Sequence, residues 1–71
     1  MTRQRVSSSN IASIGYDAVQ SILEVEFLNG AVYRYYDVPE VVYNGLMAAD
    51  SHGKYFNAYI KWGPYRYEKI F

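Results

Sequence analysis

The clearest pattern along the chain is an alternation of apolar and polar residues over residues 21–28. It places Leu23, Val25 and Phe27 on one face of a predicted strand, with glutamates between them. An Asn-Gly pair follows at residues 29–30, and the segment AVYRYYD after it predicts a second strand. The pattern therefore predicts a β-hairpin with one apolar face.

Two registers are open for this hairpin. A two-residue turn at the Asn-Gly pair would place Phe27 opposite Val32 and would bring Arg34 onto the apolar face. A type I turn with Gly30 as a G1 bulge instead gives the pairs Phe27–Ala31, Val25–Tyr33, Leu23–Tyr35 and Glu24–Arg34. Because a slip of one residue moves every side chain to the other face, we predict the bulged register, which keeps one face apolar and the other charge-paired.

The segments before the hairpin are less regular. Residues 1–10 are polar, rich in serine and without periodicity, which predicts a loose tail. Residues 11–17 (IASIGYD) predict a short first strand, with Gly15 as a bulge or a point of close approach.

Beyond the hairpin, proline at position 39 ends the strand and suits the first turn of a helix. Residues 39–49 have helical spacing, with Val42, Leu46 and Ala49 on one stripe. Gly45 weakens this helix by about 1 kcal/mol relative to alanine, so we expect tertiary packing to hold it.

A second helix is predicted over residues 51–62, with Ser51 as its N-cap and a Gly-Pro pair as its stop. Its residues divide into three stripes. The apolar stripe is Phe56 and Ile60, the aromatic stripe is Tyr55, Tyr59 and Trp62, and the polar stripe is Lys54, Asn57 and Lys61. Residues 65–71 alternate again and predict a final strand.

These elements occur in the order ββ(β)ααβ and predict one domain over residues 11–71. The fold class is α+β, with a small, mostly antiparallel sheet and two helices packed on one face. The chain has 71 residues and no cysteine, and one histidine, His52, is too little for a zinc site, so no disulfide, metal or cofactor is expected. Such a small scaffold relies on good packing or on self-association.

Seven basic residues balance seven acidic ones, which argues against a polybasic nucleic-acid binder. Near the C-terminus, however, basic residues exceed acidic ones, and a local positive patch is expected there. No apolar run approaches the roughly 20 residues that span a bilayer, and no apolar signal core follows the basic start. We therefore expect no membrane partner and a cytoplasmic location.

An ordered set of residues resembles a known family. The set is Gly15-Tyr16, Leu23-x-Val25-x-Phe27, Gly30, Tyr33-x-Tyr35, Val38-Pro39, Tyr43, Ala49-x-Ser51-x-Gly53-x-Tyr55-Phe56-Asn57 and Ile60. In this order they resemble the KTSC domain, a short module that occurs alone and at the C-terminus of some lysyl-tRNA synthetases. The resemblance covers about residues 8–70. It implies no established activity and no catalytic residues, and RNA binding has been proposed for the family.

Catalysis finds little support in the residues themselves. Ser51 and His52 are adjacent, and neighbouring helix residues point about 100° apart, so they do not form a nucleophile–base pair. Glu24 and Glu26 share a strand face, but glutamates between apolar residues are typical of a solvated face rather than of general acid–base chemistry. We therefore expect no enzyme.

The residues Ser51, His52, Gly53 and Lys54 form a different candidate. At a helix start they offer free backbone N–H groups, a close backbone approach and a positive side chain, which suits a phosphate. Asn57 and Lys61 extend the candidate along the polar stripe. An ordinary N-cap needs the same residues, so both interpretations stay open.

The aromatic residues form the last candidates. The bulged register places Tyr33 and Tyr35 on the apolar face, which favours core packing over a base-stacking platform. Arg34, Tyr36 and Arg66 would face outward as ligand contacts. The stripe of Tyr55, Tyr59 and Trp62 is too aromatic for open solvent and suits a ligand or a subunit contact.

The preferred hypothesis is a non-catalytic binding module for a nucleotide or a similar small phosphate-bearing ligand, at the seam of a homo-oligomer. If the source were a phage, sequestering a nucleotide signal would be one such role. RNA binding, with affinity that falls steeply with salt, is the first alternative. A protein–protein adaptor that uses the aromatic surface is the second.

Overall fold

The computed structural model describes all 71 residues and consists of one antiparallel sheet with two helices on one face. The sheet has five strands in the order of the chain, and the elements run β-β-β-β-α-α-β. The predicted α+β class is confirmed, and the predicted elements occur in the predicted order after one additional strand. The strands are β1 (Arg3–Arg5), β2 (Ile11–Asp17), β3 (Ile22–Phe27), β4 (Val32–Tyr35) and β5 (Tyr67–Lys69), and the helices are α1 (Glu40–Ala48) and α2 (His52–Phe56).

The β3–β4 hairpin adopts the bulged register. Glu24 lies opposite Arg34, and Leu23 lies opposite Tyr35. The amide of Phe27 donates to the carbonyl of Ala31 over 2.9 Å, and Gly30 has a φ of 93°, a left-handed conformation that glycine adopts without strain. The prediction from the alternating pattern is therefore confirmed, because the apolar face could be buried in only one register.

The N-terminus differs from the prediction. Residues 1–10 were expected as a loose tail, but Arg3–Arg5 pair with β2 as the first strand of the sheet. The strand passes so close to Gly15 that a Cβ on that glycine would lie 3.0 Å from the Arg3 side chain and from the Thr2 carbonyl. Gly15 is thus a point of close approach, while the β2 bulge lies between Ile11 and Ser13.

The core lies between the sheet and the helices. Strand residues such as Leu23 and Val25 are fully buried against Leu46 of α1 and Phe56 of α2. Burial of these side chains in the same layer holds α1 to the sheet despite the low helix propensity of Gly45. The Tyr55 ring occupies the space that a side chain at position 45 would need. No helix is long and apolar enough to cross a membrane.

The second helix changes its winding midway. Ser51 caps α2 as predicted, since its Oγ accepts a hydrogen bond from the amide of Lys54 over 3.2 Å. After Phe56 the chain continues as a π-helical turn over Asn57–Lys61. A π turn closes on the fifth residue rather than the fourth, so it rotates the side chains that follow relative to an α-helix. This shift separates residues that helical spacing had placed on one stripe.

Candidate functional site

A cleft lies between the π-helical turn and the C-terminal half of the sheet. It has a volume of about 410 Å³, and most of the residues around it are aromatic. We call it the aromatic cleft. It is lined by Asn10, Phe27, Tyr33, Tyr35, Phe56, Asn57, Lys61, Trp62 and Tyr67.

The floor of the aromatic cleft is a layer of rings in mutual contact. The Phe56 ring meets Phe27 and Tyr35 edge to face, with centroids 5.5 and 5.4 Å apart. Tyr33 and Tyr67 continue the layer across neighbouring strands, with centroids 6.2 Å apart. Because strands β4 and β5 present alternate residues to the helical side, the sequence pattern of tyrosines on these strands builds this surface.

The depth of the rings in the aromatic cleft differs. Tyr35 and Phe56 are 5% and 2% exposed, and they belong to the core. Tyr33 is half-buried, whereas Tyr67 and Trp62 are 60% and 79% exposed at the rim. The predicted core role of Tyr35 is confirmed, and Tyr33 combines a core contact with a face toward the aromatic cleft.

Burial also affects the chemistry of Tyr35. Removal from water, together with its neighbours Tyr33 and Tyr67, raises the pKa of Tyr35 to about 12. Its phenol therefore keeps its proton to a higher pH than a free tyrosine does.

The polar members of the aromatic cleft are two asparagines and one lysine. Asn57 and Lys61 come from the π-helical turn and are exposed, and Lys61 places its ammonium 5.2 Å from the centroid of the Trp62 ring. None of the lining residues is acidic. An aromatic pocket with one cation and no carboxylate suits a ligand that has a flat ring and a negatively charged group.

The corner at Ser51–Lys54 lies outside this lining. Its groups have contacts within the protein: Ser51 caps the helix, and Nδ1 of His52 lies 2.8 Å from the carbonyl oxygen of Leu46 near the end of α1. A side chain on Gly53 would collide with the carboxamide of Asn10, so the absence of a side chain at position 53 makes room for Asn10 rather than for a ligand. The structure thus gives Ser51, His52 and Gly53 a structural role, and a phosphate-binding site at this corner stays a prediction.

The predicted outward contacts form a third group, on the face of the sheet opposite the helices, which we call the open face. Arg34 donates to Glu24 over 2.8 Å, and Tyr36 donates to Glu68 over 2.8 Å. The guanidinium of Arg66 lies 4.2 Å from the centroid of the Tyr36 ring. Arg34, Tyr36 and Arg66 are therefore neighbours, but they lie across the sheet from the aromatic cleft.

Glu24 on the open face corrects another expectation. It was predicted on a solvated face, but it is only 4% exposed, and it accepts hydrogen bonds from Arg3 and Arg34. The N-terminal strand supplies Arg3, which the sequence had assigned to the loose tail. Glu26 is also paired, since it accepts a hydrogen bond from Ser13 over 2.7 Å.

The predicted aromatic stripe on the second helix is divided. Tyr55 and Tyr59 lie together, with ring centroids 4.6 Å apart, and Tyr55 packs against Gly45. Trp62 lines the aromatic cleft, whereas the two tyrosines do not. Spacing of i, i+4, i+7 places residues on one stripe only in an α-helix, and the π-helical turn over Asn57–Lys61 breaks this spacing before Trp62.

Sequence reasoning missed Asn10 and Tyr67 as members of the candidate site. Asn10 fell in the segment taken for a tail, and Tyr67 in a short strand with no distinguishing neighbours. The Asn10 signal was present in a weak form, since a polar residue directly before an apolar strand is typical of a fixed turn. The structure contains no group of three His, Cys, Asp or Glu residues that could hold a metal ion.

Comparisons with known proteins give a consistent result. Residues 7–68 match the model of the KTSC domain. A protein of Stutzerimonas stutzeri, named only as uncharacterized, is 50% identical over 70 residues, which are 99% of both chains. The crystal structure of a KTSC domain protein from Yersinia pestis superimposes with a TM-score of 0.91 and 44% identity, and the match covers 99% of this chain and 97% of that one.

Longer proteins contain a similar segment. A lysine–tRNA ligase of Trichormus variabilis is 39% identical over 62 residues, which are 87% of this chain but 11% of the ligase. None of these relatives indicates a catalytic function for the segment that they share with this chain.

Proposed function

The chain belongs to the KTSC domain family, and we propose that this member is a non-catalytic binding module for a nucleotide or a similar small ligand with a ring and a phosphate. The observation that carries the proposal is the aromatic cleft, which combines stacking surfaces with a lysine and has no acidic lining residue. A nucleotide offers the matching pair of groups, a flat base and an anion.

The base would lie against the half-exposed and exposed rings of the aromatic cleft. Tyr33, Tyr67 and Trp62 are accessible, while Tyr35 and Phe56 form a rigid floor beneath them. Stacking of a base on such rings contributes about 1–3 kcal/mol per base. Rings that are already packed lose little side-chain entropy when a ligand binds.

The phosphate would lie near Lys61. This lysine has no carboxylate within ion-pair distance, so its charge is available to a ligand. Lys69 lies directly opposite Tyr33 on β5 and therefore on the same side of the sheet. The arginines on the strands are placed differently, because Arg3 and Arg34 are turned to Glu24 on the open face.

RNA binding is the second candidate, and one observation favours it: a similar segment occurs in lysine–tRNA ligases, which are named for a tRNA substrate. On the open face, Arg3 and Arg34 share Glu24, which lowers the positive charge available to a phosphate backbone. A strand of RNA would instead need to stack its bases in the aromatic cleft and to contact the lysines beside it. This mode predicts binding that weakens steeply with salt.

Self-association forms part of the proposal. Trp62 and Tyr67 leave large apolar areas at the rim of the aromatic cleft. A second copy of the chain over this rim would cover both rings and enclose the ligand, which strengthens stacking and electrostatic contacts by excluding water.

Isothermal titration calorimetry with AMP, GMP and UMP tests the proposal, with the fluorescence of the single tryptophan as a second signal. We expect saturable binding of at least one nucleotide and a change in Trp62 emission. Lys61→Ala should weaken binding by about tenfold, the size of one lost charged contact. Lys54→Ala is the matched control, since this lysine lies in the same helical segment but outside the aromatic cleft.

The outcomes separate the candidates. If Lys54→Ala weakens binding and Lys61→Ala does not, the phosphate lies at the Ser51–Lys54 corner instead. If no nucleotide binds but a single-stranded RNA does, with a steep salt dependence, the RNA alternative replaces the proposal. If neither binds, an adaptor for a protein partner remains, and native mass spectrometry shows whether the chain associates with itself.

A further inference from the structure

We propose that Asn10 reads the hydrogen-bonding edge of the ring in the aromatic cleft, so that the cleft selects a nucleobase over a plain aromatic ring. The inference rests on the proposed function, since it concerns the same cleft. It assigns to Asn10 the role of a specificity-determining residue, and it names the chemical class of the ligand more narrowly: a heteroaromatic ring with acceptor atoms on its edge.

The backbone of Asn10 is fixed by its neighbours. Its carbonyl accepts a hydrogen bond from the amide of Leu28 over 2.9 Å, which ties the β1–β2 connection to the end of β3. Its carboxamide packs against Gly53, where any Cβ would collide with Oδ1. The Asn10 side chain therefore fits beside Gly53 because this residue has no side chain, and α2 keeps the carboxamide in place.

A hydrogen bond from Ser8 fixes which way the carboxamide of Asn10 points. Ser8 Oγ accepts from the amides of Asn10 and Ile11, over 3.4 and 3.3 Å, which uses both of its lone pairs. The hydroxyl can then only donate, and it lies 3.2 Å from Oδ1 of Asn10. The neighbouring atom must be the acceptor, so Oδ1 faces Ser8. The Nδ2–H₂ group has no hydrogen-bond partner within the protein, and because Asn10 lines the aromatic cleft, this group is the donor available to a ligand there.

An oriented donor in an aromatic pocket has a specific use. Apolar walls hold any flat ring, and a small number of placed polar groups then decide which ring stays. Every nucleobase offers acceptors at its edge, such as N7 and O6 of guanine or N7 of adenine, whereas a phenyl ring offers none. Both asparagines of the cleft are exposed, but the side chain of Asn57 makes no hydrogen bond within the protein, so its carboxamide is not held in one direction as that of Asn10 is.

The experiment compares two ligands on four proteins. AMP and phenyl phosphate each carry one phosphate and one aromatic ring, but only AMP has a hydrogen-bonding edge. Calorimetry measures both on the full chain and on Asn10→Ala, Ser8→Ala and Ser7→Ala. Ser7 is exposed and precedes the Ser8–Asn10 contact, so Ser7→Ala is the matched control. Thermal melting of each variant shows whether it is folded.

We expect Asn10→Ala to lower the affinity for AMP by about tenfold, because one neutral hydrogen bond is lost, and to leave the affinity for phenyl phosphate unchanged. Ser8→Ala should lower the affinity for AMP by a smaller factor, since it frees the Asn10 carboxamide to rotate without removing it. Ser7→Ala should leave both affinities unchanged. The ratio of the two affinities is internal to each variant, so a partly destabilised protein still gives an answer.

Two results would overturn the inference. If AMP binds and Asn10→Ala weakens AMP and phenyl phosphate alike, or neither, Asn10 is only structural, and the proposed function stands without it. If neither AMP nor phenyl phosphate binds the full chain, the proposed function fails for these ligands, and the role of Asn10 fails with it.

Discussion

The side chain of Arg3 passes over Gly15, and its guanidinium donates to the buried carboxylate of Glu24, two strands away in the sheet. Arg34 reaches the same carboxylate from the other side, so Glu24 is held between strands β1 and β4. Gly15 favours this arrangement because a Cβ at position 15 would lie only 3.0 Å from Cγ of Arg3. A single carboxylate thus links the N-terminal strand to the middle of the sheet.

Arg3→Gln should lower the free energy of unfolding by about 1–2 kcal/mol, because a buried carboxylate loses one of its two charged partners. The loss is limited because Arg34 remains. Arg5→Gln is the control on the same strand, and it should change stability by no more than about 0.5 kcal/mol, as is usual for surface positions. Urea denaturation measures both, and equal effects from the two variants would contradict this role of Arg3.

Glu24 should also make the fold sensitive to acid. Burial alone raises the pKa of Glu24, but the hydrogen bonds and charges of Arg34 and Arg3 outweigh burial and hold its pKa below the usual 4.5. A carboxyl with a lowered pKa in the folded state contributes stability above its unfolded pKa and loses it as pH falls through the folded value. The melting temperature should therefore fall below about pH 4.5.

The matched variant for this pH prediction is Glu24→Gln. It should be less stable at neutral pH, and its melting temperature should change less between pH 5 and 2. A variant that keeps the full acid dependence of the natural chain would assign that dependence to other carboxylates.

Alkaline pH should act through Tyr35. Its pKa is raised to about 12 by burial and by its two tyrosine neighbours, compared with 10 for a free tyrosine. A raised pKa contributes stability that is complete below the unfolded value and lost as pH rises through the folded value, so the melting temperature should fall between about pH 10 and 12. Tyr35→Phe should show a smaller fall. Identical alkaline profiles for the two proteins would rule out Tyr35 as the cause.

The contact between Gly45 and Tyr55 predicts that the effect of Gly45→Ala on stability depends in sign on the residue at position 55. Alanine at position 45 favours a helix by about 1 kcal/mol, but its methyl group would collide with the Tyr55 phenol. Gly45→Ala should therefore destabilise the natural chain. In a Tyr55→Ala background the collision is gone, and the same change should stabilise by about 1 kcal/mol. Thermal melts of the four proteins complete the cycle, and a stabilising effect in both backgrounds would disprove the contact.

Local patterns determined a large part of this fold from the sequence. The alternation of Leu23, Val25 and Phe27, with Gly30 after them, predicted the hairpin and its register, because strand period and turn geometry depend on residues close together in the chain. The Ser51 cap followed for the same reason. The resemblance to the KTSC domain rested on the same ordered residues, and the family comparison confirmed it.

The remaining features depend on contacts between distant parts of the chain. No local pattern predicted that Arg3 would reach Glu24, that Asn10 would fit against Gly53, or that Trp62 would line the aromatic cleft without Tyr59. Each of these contacts joins elements that are far apart in sequence or follows from a change in helix winding, and their energy comes from burial and charge pairing after the elements have packed. Local patterns were therefore sufficient for the elements from β2 onwards and for their order, whereas packing between distant segments decided the pairing of β1 and which residues share the aromatic cleft.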